Sequence, residues 1–169
     1  GSLRTSARWR REGGAGRATL RLRLLMSGRD YHSMQHENPG FGFAPALDEG
    51  GAVVWQTYPG LPPVAAHGGA YRHDPAWYRG FLYTEEAARG LDALEDLALP
   101  GELSWDLAAG EATLALRADR APARPVAALF DAERVRRAAI PPLTRSALPH
   151  VAVRGQGLTV IAGYPWFTD

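Results

Sequence analysis

The side chains near the end of the chain are the ones best suited to binding a sugar. Trp166 and Phe167 follow a Tyr164-Pro165 turn and lead to a carboxylate, Asp169. Flat aromatic faces pack against the apolar side of a pyranose ring, and a carboxylate accepts hydrogen bonds from its hydroxyl groups. We therefore expect Tyr164, Trp166, Phe167 and Asp169 to bind substrate.

A second group of polar residues lies in a loop rich in glycine and proline. Arg29, Asp30, Glu37 and Asn38 can contact a sugar, or they can serve as an ion pair and turn acceptors that tie the loop to a sheet. The structural role is favoured, because Asp and Asn side chains commonly accept hydrogen bonds from nearby backbone in turns.

Histidines in the same part of the chain raise the question of a zinc site. The candidate ligands are His32, His36, His67, His73 and Asp74. A spacing of four residues puts two histidines on one face only in a helix, whereas Pro39-Gly40, just after the first pair, indicates a loop. We therefore expect no metal and no cofactor.

Residues 85–111 hold eight acidic residues and one basic residue, Arg89. Glu95 and Asp96 are the kind of carboxylate pair that glycosidases use. Adjacent residues on a strand point to opposite faces of a sheet, so the two are poorly placed to act on one bond. We expect no catalytic residue here, but an acidic loop that docks onto another domain, with Arg89 paired to one of the carboxylates.

Period-two alternation and turn residues predict mainly β structure. In residues 17–25 arginine alternates with leucine, which indicates a half-buried strand with its arginines in solvent. The segment Gly13-Gly14-Ala15-Gly16 predicts a turn that brings an earlier strand, 6–11, back against it. A short turn between 103–107 and 111–118 predicts a hairpin. Further strands are predicted at 52–57, 77–83 and 158–161.

One short helix is predicted in a proline-rich linker, residues 119–155. Pro125 fits the first helical position, and Pro141-Pro142 end the helical pattern, which is either one kinked helix or two. The predicted fold class is mainly β, an antiparallel β-sandwich. We expect the sandwich to be partial, because roughly six strands are few for a complete one.

Composition excludes several classes of function. The 169 residues are 46% hydrophobic and 22% charged, as in an ordinary single domain. The sequence contains no run of 18 apolar residues, which a membrane-spanning helix would need. All 19 basic residues are arginine, which indicates a high-GC bacterial genome, and the net charge is only +1. The arginines near the N-terminus are therefore attributed to a solvent-facing strand and not to nucleic-acid binding. We expect a cytoplasmic protein without disulfides.

Four segments, read in order, resemble the N-terminal domain of the bacterial and archaeal type of glycogen debranching enzyme, an amylo-α-1,6-glucosidase. They are residues 29–38, 77–83, 86–101 and 160–169. The last is the most specific, because in the family it continues into a Trp-Gly-Arg-Asp stretch that opens an (α/α)6-barrel glucosidase domain. The resemblance implies that this chain begins inside the family domain and stops just before the barrel.

The resemblance also implies a function and a domain organisation. Residues 1–118 would be the β-sandwich region, 119–155 the linker with its helix, and 156–169 the entry to the catalytic domain. The parent enzyme would hydrolyse α-1,6-linked glucose stubs of glycogen or limit dextrin. Its barrel would supply the acid and the base, so that this chain alone is inactive. The alternative is a stand-alone carbohydrate-binding or protein-interaction module, and the sequence that follows residue 169 discriminates between the two.

Overall fold

A computed structural model describes residues 4–14, 16–30, 33–118 and 126–160, and within them the chain is mainly β. The chain forms two compact units, Gly1–Val126 and Ala127–Asp169. The described part of the first unit holds eight strands and one short helix. These are β1 (Arg4–Trp9), β2 (Thr19–Arg23), β3 (Pro45–Leu47), β4 (Val53–Trp55), β5 (Val64–His67), β6 (Ala70–Leu82), α1 (Thr84–Ala88), β7 (Leu94–Asp106) and β8 (Ala112–Arg117).

The eight strands form two antiparallel sheets that share one core. One sheet has the order β1-β8-β5-β4-β3, and the other has the order β2-β7-β6. Trp55 and Leu114 from the first sheet join Leu103 and Ala98 from the second in a single buried cluster. The ring of Trp55 lies 5.4 Å from that of Tyr71 on the other sheet, in an edge-to-face arrangement. The predicted antiparallel β-sandwich is confirmed.

Strand β2 follows its sequence pattern closely. Leu20 and Leu22 are half-buried, whereas Arg21 and Arg23 are exposed. The register places Arg23 opposite Glu102 of β7, and its Nε lies 3.4 Å from Oε2 of that carboxylate. The arginines of this strand therefore occupy the solvent face, as the alternation predicts.

Two predicted strand pairings are wrong. β1 pairs with β8 and not with β2, and the segments 103–107 and 111–118 do not form a hairpin. β7 lies between β2 and β6, whereas β8 lies between β1 and β5 in the other sheet. The turn between them, in which the Asp106 carboxylate accepts a hydrogen bond from the Ala108 N–H at 2.9 Å, carries the chain from one sheet to the other. Turn chemistry determines where the chain reverses, but burial of each strand determines its neighbours.

The segment 85–102, part of the predicted acidic loop, contains most of α1 and more than half of β7. β7 is the central strand of its sheet and is buried over most of its length. The predicted strand 77–83 is the end of the long edge strand β6, which has irregular register between His73 and Ala76 and between Tyr78 and Phe81. Pro75, which lacks an N–H, lies in the first irregularity, and Gly80, with φ of 72°, lies in the second.

The second unit contains helices α2 (Val126–Ala138) and α3 (Pro142–Ala147), a short 3₁₀ turn (Leu148–His150), and a hairpin of β9 (Val151–Arg154) and β10 (Gly157–Val160). α2 is the predicted helix, and it ends before Pro141. Pro142, predicted together with Pro141 to end the helical pattern, instead occupies the first turn of α3, where a missing N–H costs nothing, and α3 is a helix that the sequence pattern does not predict. No helix in the described ranges is long and apolar enough to cross a membrane.

Candidate functional site

Glu95, on β7, is a buried carboxylate that accepts hydrogen bonds from the loop joining β2 to β3. Its side chain is 1% exposed, and Arg29 approaches with Nε at 2.5 Å from Oε1 and Nη2 at 3.1 Å from Oε2. The Tyr83 hydroxyl donates to Oε2 at 2.6 Å, and the Gln35 backbone N–H donates to Oε1 at 3.2 Å. The Arg29 guanidinium in particular lowers the pKa of Glu95. The ionised carboxylate therefore holds the loop against β7.

Asp96, the next residue, holds the same loop through a different set of donors. Its Oδ2 accepts a hydrogen bond from the Glu37 backbone N–H at 3.0 Å, and its Oδ1 accepts one from the Gly80 N–H at 2.9 Å. These two backbone donors lower the pKa of Asp96. His36 Nδ1 lies 3.8 Å from Oδ2. The glycine at position 80 allows the backbone to turn its N–H toward this carboxylate.

The two adjacent carboxylates have separate surroundings. Glu95 and Asp96 accept hydrogen bonds from different donors, as expected for neighbours on one strand. A glycosidase needs one carboxyl group kept protonated at working pH, whereas surrounding donors lower both pKa values here. Both residues therefore position the loop, and neither has the environment of a catalytic acid.

The four loop residues singled out from the sequence are all engaged within the chain. Arg29 is bound to Glu95, and the carboxylate of Asp30 accepts a hydrogen bond from the backbone N–H of Ser33 at 3.1 Å. Glu37 forms an ion pair with Arg79. Asn38 donates to the Tyr58 hydroxyl and to the His36 carbonyl, both at 2.8 Å, and accepts from the Gly40 N–H at 3.0 Å. These contacts support the structural role, and direct sugar contacts by these residues stay a prediction.

Aromatic side chains of the same loop extend the core, and none of the sequence motifs described above includes them. Phe41 is buried, and its ring lies 4.8 Å from Phe43, 5.4 Å from Tyr58 and 5.5 Å from Trp77. The alternation Phe41-Gly42-Phe43 is the signal that could have found them. A side chain at position 42 would meet the Gln56 carbonyl oxygen at 2.3 Å, so glycine is required. Trp77 therefore packs against the core.

Three exposed leucines lie near α1, at one end of the ribbon formed by β6 and β7. Leu82 and Leu94 are opposite each other in the ladder, and their exposed fractions are 57% and 52%. Leu91, in the connection between α1 and β7, is 57% exposed. We call Leu82, Leu91 and Leu94 the leucine patch. Such a group of large apolar side chains in solvent is a feature of interaction surfaces.

The aromatic segment at the end of the chain lies outside the described residues. Tyr164, Trp166, Phe167 and Asp169 therefore stay predicted substrate-binding residues. His32 is also outside the described part. Among the residues that are described, no group of three or more His, Asp or Glu side chains is arranged to hold a metal ion.

The fold and the site define a class: an antiparallel β-sandwich domain in which a buried carboxylate, Glu95, and its neighbour Asp96 hold a loop in place. A family model described as the N-terminal domain of glycogen debranching enzyme matches residues 1–114 of the 169-residue chain. The chain therefore belongs to this family, as its sequence motifs indicated. No curated protein and no solved structure matches it.

Proposed function

We propose that this chain is the non-catalytic N-terminal region of a glycogen debranching enzyme that hydrolyses α-1,6-linked glucose stubs. The observation that carries the proposal is the family match over residues 1–114. The non-catalytic role is supported by the hydrogen bonds that the Glu95 and Asp96 carboxylates already accept from other residues of the chain. The acid and the base, two carboxylates with a water between them in an inverting mechanism, would come from a following (α/α)6 barrel. No cofactor takes part.

The chain braces that barrel and helps to shape its glucan site. The leucine patch supports the bracing role, because Leu82 and Leu94 lie side by side and expose apolar surface that a second domain would remove from water. The Glu95 and Asp96 contacts hold the neighbouring loop in one conformation. A rigid loop beside an interface can form one wall of a substrate groove without an ordering cost on binding.

The catalytic part of the proposal is tested by glucose release from a branched limit dextrin. The 169-residue chain should release none, whereas the full-length enzyme should release glucose steadily. A double variant, Glu95→Gln with Asp96→Asn, serves as the control for the chain alone, with circular dichroism as the check that it is folded. Turnover by the chain above that of the double variant would show that its own carboxylates are catalytic.

The bracing part is tested by Leu94→Asp, made in the full-length enzyme and in the 169-residue chain. A carboxylate at a domain interface leaves a buried, unpaired charge, whereas the same carboxylate on an exposed surface is solvated. We expect the melting temperature to fall in the full-length enzyme and to change little in the chain. Leu47→Asp, at a leucine that is 76% exposed elsewhere in the same unit, is the matched control. Equal losses in both proteins would assign Leu94 to the fold of the chain itself.

The substrate-binding part is tested in the full-length enzyme by Trp166→Ala and Asp169→Asn. Each removes one interaction with a glucose ring, worth on the order of 1–3 kcal/mol, which corresponds to roughly 10–100-fold in kcat/KM. The assay is hydrolysis of an α-1,6-linked glucosyl oligosaccharide, with circular dichroism as the check on folding. Unchanged kinetics in both folded variants would make this segment a linker only.

A further inference from the structure

A groove of about 460 Å³ opens between β3 and β6, which are edge strands of the two different sheets. Leu47 of β3 and Val53 of β4 contribute to its lining, as does Gly51 of the turn between them. Tyr71 and His73, near the start of β6, line it from the other sheet. The volume falls in the range of sites that bind small molecules, which is roughly 300–1,000 Å³.

The lining of this groove contains no carboxylate and no arginine. None of its eight residues is Asp, Glu or Arg, in a chain in which those types make up 22% of the sequence. An ionic ligand would find no counter-charge here and would lose hydration without compensation. The groove therefore matches an uncharged ligand that has both apolar faces and hydroxyl groups, which is the chemistry of a neutral sugar.

The hydrogen bonds of Tyr71 determine which polar atom is free for such a ligand. Its hydroxyl lies 2.9 Å from the carbonyl oxygen of Pro100, which can only accept, and 3.0 Å from Nδ1 of His73. The single hydroxyl proton goes to the carbonyl, so Nδ1 of His73 must carry a proton and donate it to the hydroxyl. In the neutral imidazole this leaves Nε2 as an acceptor. His73 is exposed, so that acceptor is accessible to the hydroxyl of a sugar.

The aromatic wall of the groove is held rigidly. The Tyr71 ring packs on Trp55, which is 1% exposed, and its hydroxyl is bound to β7 through Pro100. Gly69, which also lines the groove, has φ of 70°, and a side chain there would meet the Trp105 ring at 2.7 Å. A ring and a backbone turn that are fixed before binding add no ordering cost when a ligand arrives.

We propose that the groove between β3 and β6 binds a short segment of neutral α-glucan, with Tyr71 as the packing face and His73 Nε2 as an acceptor for a glucose hydroxyl. The identity of the sugar as α-glucan rests on the proposed function, whereas the position and the neutrality of the site rest on the groove itself. Binding here would anchor a glucan chain at a site remote from the bond that is hydrolysed.

The test is a titration of the ¹⁵N-labelled 169-residue chain with maltohexaose, followed by NMR. We expect shifts confined to residues 45–53 and 69–73. We expect His73→Ala to weaken binding about tenfold, the usual size for loss of one hydrogen bond. Leu47→Arg should abolish binding, because it puts a long charged side chain into the groove from a position that is 76% exposed. Leu143→Arg, at a leucine that is 84% exposed in the second unit, is the matched control and should bind as the wild type does.

Each contrary result overturns a stated part of the proposal. No shifts at millimolar maltohexaose, or full binding by Leu47→Arg, would exclude the groove as a sugar site. Equal binding of cellohexaose, which differs only in its linkage, would exclude α-glucan as the specific ligand. The proposed function has a separate test: it would be contradicted if the full-length enzyme released no glucose from limit dextrin. An active enzyme whose N-terminal chain gives no titration shifts would refute the groove alone.

Discussion

Two carboxylates in this molecule are bound by arginines in similar geometry but in different surroundings. In the first unit, Glu95 is 1% exposed and is held by Arg29 together with a tyrosine and a backbone N–H. In the second unit, Glu133 of α2 is 40% exposed and accepts hydrogen bonds from Arg136, at 2.7 Å to each oxygen, and from Arg137 at 2.6 Å. By the number and length of its arginine hydrogen bonds alone, the exposed Glu133 cluster would be expected to stabilise the fold at least as much as the Glu95 cluster.

Burial separates the two. Water solvates Glu133 and its arginines whether or not the helix is folded, so pairing gains little and loses side-chain freedom. Glu95 has been removed from water, so its donors replace solvation that the protein cannot otherwise supply. The same type of ion pair therefore contributes little to the stability of a helix in one unit, whereas it fixes the position of a loop in the other.

Removing one arginine from each cluster should give the largest contrast. Arg29→Ala leaves Glu95 buried without its counter-charge, and we expect the free energy of unfolding to fall by about 3 kcal/mol. Arg136→Ala leaves an exposed carboxylate that water solvates, and we expect no measurable change in the urea midpoint of unfolding. A similar loss in both variants would show that burial is not the deciding difference.

The second-largest contrast should be in how the stability of the protein depends on acid pH. Folding lowers the pKa of Glu95, chiefly through Arg29, so its contribution to stability is complete above the ordinary carboxyl range and is lost as pH falls through the folded pKa. Glu95→Gln should therefore flatten the decline of unfolding free energy between about pH 5 and pH 2. The hydrogen bonds from Arg136 and Arg137 lower the pKa of Glu133 to about 2, which has the same sign. Because water screens the charges around that exposed group, Glu133→Gln should flatten the decline less than Glu95→Gln does, and urea melts at several pH values measure both.

Tyr83→Phe isolates a single hydrogen bond of the buried cluster. The ring stays in place, and only the hydroxyl that donates to Glu95 at 2.6 Å is lost. We expect a loss of roughly 1.5–3 kcal/mol, as for a hydrogen bond to a charged group, at the low end because Arg29 remains. Tyr78→Phe, which removes a hydroxyl bound to exposed Arg23 at 2.7 Å, is the control and should cost less. The reverse order in urea melts would contradict the assignment of Glu95 as the central anchor.

Salt should give the smallest difference. At 1 M ionic strength the screening length is about 3 Å, so the pKa of exposed Glu133 should rise toward its ordinary value. The pKa of Glu95 should stay low, since its side chain is 1% exposed and salt screens buried pairs much less. Titration of both side-chain carboxyl carbons by NMR, at low and high salt, gives the comparison directly. A rise at Glu95 equal to that at Glu133 would mean that its surroundings are wetter than the structure describes.

Part of the candidate site could be predicted from its residues. Residue type favours Asp30 and Asn38 as turn acceptors, and both accept hydrogen bonds from backbone within three residues. That behaviour is local, so sequence spacing captures it. The partner of Arg29 is 66 positions away, on a strand whose acidic segment has the composition of a surface loop. No spacing rule identifies such a pair, because it exists only once two distant strands have been brought together.

Features that depend on neighbours along the chain could be derived from the residues alone. Alternation marks β2 and its solvent-facing arginines, prolines mark the end of α2, and four short motifs indicate the family. Three features are determined only by the tertiary structure. β7 and β8 belong to different sheets, Glu95 anchors the loop between β2 and β3, and a groove without carboxylates or arginines lies between β3 and β6. The reason is physical. A strand's face pattern is encoded locally, whereas its partners are selected by which pairing buries the most apolar surface across the whole chain.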